Sequence, residues 1–218
     1  MKMMELIIFG LIINFLFIDK KNIIEKMDDI NVNNSLWIFN NFYSFSKFNK
    51  IKNYVSKMKF KYDNRVTGRK TICLPYKKNK ELYKLIYNNN KLSNFIKKNY
   101  KNKKYKLMPR FPIEYRIYPQ GSEGMHMHSD LQMTDPNQLE IVLTIENNST
   151  SKFKWIENNK INKLHPKANT LVIVEPNGIK HGVSSVKKGY RTILKFIIEF
   201  EGSKKLDSYY REIDNCPI

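Results

Sequence analysis

The sequence predicts an α+β fold, a β-sandwich or jelly roll flanked by N-terminal helices, and three observations carry that expectation. Residues 21–105 are rich in lysine and asparagine, and their apolar residues recur at spacings of three and four, the period of a helix. From Lys106 onward the pattern changes to short apolar or alternating runs separated by turn signals, the signature of antiparallel strands. The chain has 218 residues, 41% of them apolar, enough for one good core, and no internal repeat is evident.

In order along the chain, residues 1–20 form an apolar N-terminal segment. Leu6 to Ile18 is continuous and apolar except for Gly10 and Asn14, and charged residues flank it. Thirteen residues fall short of the ~20 that span a bilayer. They match the apolar region of a signal sequence, yet bulky Phe15-Leu16-Phe17-Ile18 leaves no cleavage site. The segment therefore reads as an uncleaved signal-anchor through residues 6–18, or as a helix or strand buried on the main domain. Location follows the same fork, membrane-anchored or cytoplasmic.

Residues 21–105 read as a helical support region. The apolar stripes Leu82, Tyr83, Leu85, Ile86 and Leu92, Phe95, Ile96 predict amphipathic helices over 79–89 and 91–99. Ser35 to Tyr43 is aromatic-rich and open to either strand or helix. Residues 106–203 read as the jelly-roll core. Ile113 to Tyr118 alternates, Leu139 to Ile145 is nearly all apolar, Phe153 to Trp155 is a short strand, and Thr170 to Val174 is a buried one. Asn177-Gly178 marks a tight turn before His181, Gly189 marks another, and Arg191 to Phe200 closes the set. Residues 204–218 remain as a C-terminal tail.

Composition narrows the partners. The net charge of +19 invites a polyanion, nucleic acid above all, but all except six of the 39 basic residues are lysines spread along the chain. Their local runs, 47–61, 77–81 and 97–106, also suit a solvated surface. Cys73 and Cys216 leave room for one disulfide and have no zinc-ligand spacing. Oligomeric state is not written in the sequence.

The chemistry concentrates at Gly121-Ser-Glu-Gly-Met-His-Met-His-Ser-Asp130, answered by His181 and Arg191. His128 and Asp130 are two apart, so on a strand they leave one face. With His181 they make two imidazoles and one carboxylate, a set that suits ferrous iron with open positions. If Lys187-Lys188-Gly189 turns a hairpin, Arg191 returns on the neighbouring strand behind the metal. A guanidinium there grips a carboxylate with two parallel hydrogen bonds. Tyr118 is placed to donate to the same acid. His126 reads as an alternative ligand, a mouth residue or simply an exposed one, His165 as a loop residue, Trp155 as core, and Arg116 as solvent-facing.

His128-x-Asp130, His181 and Arg191, with Tyr118 ahead of them, resemble the Fe(II)/2-oxoglutarate-dependent dioxygenases, and the prolyl 4-hydroxylase-like branch in particular. The resemblance spans roughly residues 106–200. It implies a double-stranded β-helix and conversion of 2-oxoglutarate to succinate and CO₂ coupled to hydroxylation of a C–H bond. It implies His128, Asp130 and His181 as catalytic metal ligands to Fe(II), Arg191 and Tyr118 as 2-oxoglutarate contacts, and O₂ as co-substrate, with ascorbate an optional cofactor. For substrate it implies a protein or peptide side chain, prolyl ahead of lysyl. Oxidative demethylation of alkylated nucleic acid is the alternative, although that group carries a further arginine where Ile197 stands. A non-catalytic, membrane-anchored or structural jelly roll is the reading from another class.

Overall fold

Alternation in two long strands builds the centre of the molecule. The structure is a computed structural model, and it describes residues 29–59, 61–62, 66–101, 103–106 and 111–214. In chain order its strands begin with Ile30–Val32 (β1), Leu36–Phe39 (β2), Lys61–Tyr62 (β3), Lys70–Leu74 (β4), Tyr105–Lys106 (β5), Ile113–Tyr118 (β6), Met125–His128 (β7) and Thr134–Asp135 (β8). They continue with Leu139–Asn147 (β9), Phe153–Glu157 (β10), Lys160–Leu164 (β11), Leu171–Val174 (β12), His181–Val183 (β13), Arg191–Phe200 (β14) and Lys204–Lys205 (β15). The helices are Phe45–Val55 (α1), Lys80–Tyr87 (α2), Asn90–Asn99 (α3) and Asp207–Asp214 (α4).

The major sheet runs β1-β2-β12-β9-β14-β6-β4-β3, with β5 added on β14, and the minor sheet runs β11-β10-β13-β7. Both are antiparallel throughout, the two facing sheets of a jelly roll with helices on one side. On β14, Leu194, Phe196, Ile198 and Phe200 point to the helix side, and Leu139, Ile141, Leu143 and Ile145 of β9 join them in the largest buried cluster. α1, α2 and α3 add Ile51, Leu82, Ile86, Leu92 and Ile96 to that cluster. The other face of the sheet therefore looks inward, toward the minor sheet.

Tyrosine hydroxyls fasten the helices to the sheet. Tyr83 accepts from the Ile113 amide at 3.1 Å and donates to the Leu74 carbonyl at 3.0 Å; Tyr87 donates to the Ile197 carbonyl at 2.7 Å. Burial pushes the Tyr83 phenol up to about 12, so it stays a donor across the physiological range. α3 is capped by Asn89, whose side chain accepts from the Leu92 amide.

The helices expected over 79–89 and 91–99 form at Lys80–Tyr87 and Asn90–Asn99, and within the undecided Ser35–Tyr43 stretch Leu36–Phe39 forms strand β2. The hairpin between His181 and Arg191 does not form. β13 belongs to the minor sheet and β14 to the major one, so the intervening residues cross between sheets. Residues 6–18 and Cys216 lie outside the described residues. Among the described residues no helix is long and apolar enough to cross a membrane, and Cys73 is disulfide-bonded.

Candidate metal centre

β7 and β13 pair so that His128 stands opposite His181. The close approach of these strands depends on glycine: a Cβ on Gly182 would meet the Met125 carbonyl oxygen at 2.6 Å. β7 ends at His128, and Asp130 lies just beyond it on a loop held to the Asn177-Gly178 turn. There the Asn177 amide donates to the Asp130 carbonyl at 3.0 Å, and Ser129 Oγ donates to the Gly178 carbonyl at 2.9 Å.

The three side chains meet. Asp130 Oδ1 is 3.5 Å from His128 Nε2, and Oδ2 is 3.4 Å from His181 Nε2. One ligand atom from each residue fits within a 4.8 Å span. Both rings are oriented by their second nitrogen: His128 Nδ1 lies 2.8 Å from the His126 carbonyl, and His181 Nδ1 lies 3.2 Å from that of Ile179. A carbonyl only accepts, so the neutral rings carry their proton on Nδ1 and turn the Nε2 lone pair toward Asp130. This donor set fits a ferrous-type divalent ion with open positions.

Protonation agrees with such a site. Burial pushes Asp130 up, but His128, Lys195 and His181 outweigh it and hold the carboxyl below its usual range. The Asp130 hydrogen bond raises His128, whereas burial lowers the more enclosed His181.

One cavity extends inward from the triad between the sheets, and apart from Asp130 its charged lining comes from the inner face of the major sheet: Arg116, Glu140, Arg191 and Lys195. Arg116 is paired with Glu114, Nη2 to Oε2 at 2.8 Å, and Lys195 Nζ with Glu140 Oε2 at 2.7 Å. Arg191 is different. It is 2% exposed, and its Nε has no hydrogen-bond partner. Burial alone lowers its affinity for a proton, and Tyr118 is the neighbour that opposes this. Tyr118 sits beside it in register. Burial pushes that phenol up, but Arg116, Arg69 and Arg191 prevail and pull it below its ordinary value. A buried, under-satisfied guanidinium beside a phenol has the chemistry to pair with a carboxylate.

All five site residues expected from the sequence, His128, Asp130, His181, Arg191 and Tyr118, line this cavity. His126 is exposed and contributes only its carbonyl. His165 lies in a loop, and Trp155 is buried in the core between the sheets. The expectation for Arg116 is corrected. It is 6% exposed, because the polar phase of β6 faces the cavity and not solvent. Lys195 and Glu140 were not anticipated, although Lys195 lies an even number of residues past Arg191, and that spacing marks a shared strand face.

The fold is that of the Fe(II)/2-oxoglutarate oxygenases, prolyl hydroxylases among them. The chain is similar to an oxidoreductase of the 2OG-Fe(II) oxygenase family from Burkholderia pseudomallei, with TM-score 0.62 and 11% identity over 77% of this chain and 85% of that one. It is also similar to a Trichoplax adhaerens prolyl hydroxylase in complex with a hypoxia inducible factor peptide fragment, with TM-score 0.58 and 16% identity over 78% and 84%. A third likeness is to HygX from Streptomyces hygroscopicus with nickel, 2-oxoglutarate and hygromycin B bound, with TM-score 0.59 and 6% identity over 77% and 84%. No protein-family description matches the chain, and no curated protein does.

Proposed function

We propose that this chain is an Fe(II)- and 2-oxoglutarate-dependent dioxygenase that hydroxylates a C–H bond of a protein or peptide side chain, prolyl ahead of lysyl. The observation that carries the reading is a single cavity with two unlike ends. A two-histidine, one-carboxylate set stands at one end, and the under-satisfied Arg191 guanidinium at the other. His128, Asp130 and His181 would hold the iron, which supplies the O₂-dependent oxidation when bound. Arg191 and Tyr118 bind and orient the far carboxylate of the co-substrate. Val142, Val172 and Ile193 on the cavity wall keep water away from it. The Nδ1 hydrogen bonds hold both imidazoles in the ligand-ready tautomer.

A peptide substrate is favoured by the likeness to a prolyl hydroxylase solved with a peptide fragment, and by Ile197, buried in an apolar cluster where demethylases carry an arginine. Net charge supports the second reading, demethylation of alkylated nucleic acid. Anaerobic titration with Fe(II) and then 2-oxoglutarate tests the common part. A visible charge-transfer band should appear, and Arg191→Ala should need far more 2-oxoglutarate to produce it. Iron uptake with no band would mean that the co-substrate is a different one.

A further inference from the structure

Lys195 and Glu140 put a second ion pair on the cavity wall, and packing does not call for it. A buried pair is seldom more stabilising than apolar side chains of the same volume, and the same wall accepts Val142, Val172 and Ile193. The ammonium sits 2.7 Å from Glu140 Oε2, with the two side chains 16% and 7% exposed. An ammonium has three N–H donors, more than one ion pair uses. Arg191, Ile193 and Lys195 share one face of β14 and all three line the cavity. Glu140 is in register with Val174, three residues before Asn177, whose amide holds the Asp130 carbonyl at 3.0 Å, and this puts the pair at the metal end.

We propose that the Lys195–Glu140 pair sets the charge balance of the cavity. Lys195 is a specificity-determining residue that favours a doubly negative co-substrate, and Glu140 offsets it so that a divalent cation is still held. The inference rests on the metal-centre reading above. Its consequence is a pattern of opposite signs. Removing the ammonium relieves repulsion on the cation and weakens attraction for the dianion, and removing the carboxylate does the reverse. Lost packing or partial unfolding weakens both ligands together.

The test uses the full chain under anaerobic conditions at pH 8, with Co(II) and then 2-oxoglutarate followed through the visible bands of the cobalt site. Lys195→Met should tighten Co(II) roughly tenfold and weaken 2-oxoglutarate by a similar factor, the size expected of one charge in a partly screened site. Glu140→Gln should move both constants the other way, and the double variant should return close to the wild type. Affinities that fall together, or that do not move, would overturn the inference while leaving the metal centre intact. A wild-type chain that takes up no Co(II) would overturn the metal-centre reading and this inference with it.

Discussion

Arg191 keeps a guanidinium in the interior with its Nε unpaired, and an unmet buried donor costs about 1–3 kcal/mol. Such a residue lowers the stability of the empty protein and becomes favourable when an anion arrives. Arg191→Met is therefore expected to raise the thermal midpoint of the metal-free protein while weakening 2-oxoglutarate by about 10–100-fold, the worth of a charge-assisted pair. Calorimetry and the anaerobic titration read the two effects separately, and a variant that lost stability would show that Arg191 serves packing instead. His128 makes a pH prediction of definite sign. Its folded value lies above the ordinary 6.5, chiefly through the Asp130 hydrogen bond. In the metal-free protein this stabilisation is fully present below pH 6.5 and is lost as pH rises through the folded value. A metal ion must displace that proton, so Co(II) affinity should fall as pH drops through the same window. Uptake near pH 7 should release protons measurable in weak buffer.

At the level of elements, the close pairing of β7 with β13 is what lets His128 and His181 face each other. Gly182→Ala would drive a methyl group into the Met125 carbonyl, which has no flexible side chain to yield. The expected result is a loss of about 1–3 kcal/mol in urea unfolding together with weakened Co(II) binding. Normal cobalt affinity in this variant would mean that the strands can separate without disturbing the triad. Much of this arrangement was legible beforehand. The turn at Asn177-Gly178 and the alternation of the long strands signalled where side chains would point, whereas His128 and Asp130 meet although β7 ends at His128 and Asp130 lies on the loop beyond it. Arg116 shows what was not legible. Alternation tells which residues share a face, but solvent and a polar cavity leave the same pattern of charges. Once α1, α2 and α3 cover the outer face of the major sheet, its polar phase can only look inward. The crossing from β13 to β14 was hidden for a related reason, since a glycine turn is compatible with a hairpin and with a passage between sheets.

Across the whole molecule, the layers divide labour: helices and the apolar face of the major sheet supply the core, and the space between sheets supplies chemistry. Access runs from the triad end, where the His128 side chain is 34% exposed against 9% for His181. The lysine excess lies outside this plan, as the charged residues lining the cavity, Arg116, Asp130, Glu140, Arg191 and Lys195, are near balance. A surface of dispersed lysines binds polyanions through counterion release, which decays steeply with salt and carries no chemical selectivity. Oligonucleotides should therefore bind at low salt, lose at least about tenfold in affinity between 50 and 200 mM salt, and leave 2-oxoglutarate consumption unchanged. A prolyl peptide that enters at the triad end should raise that consumption, with a rate that changes by less than about twofold over the same range, because its contacts are short and partly buried. The two measurements share one assay, succinate formation against ionic strength. Stimulation by an alkylated oligonucleotide but not by peptides would move the substrate to nucleic acid and give the lysine surface a part in catalysis.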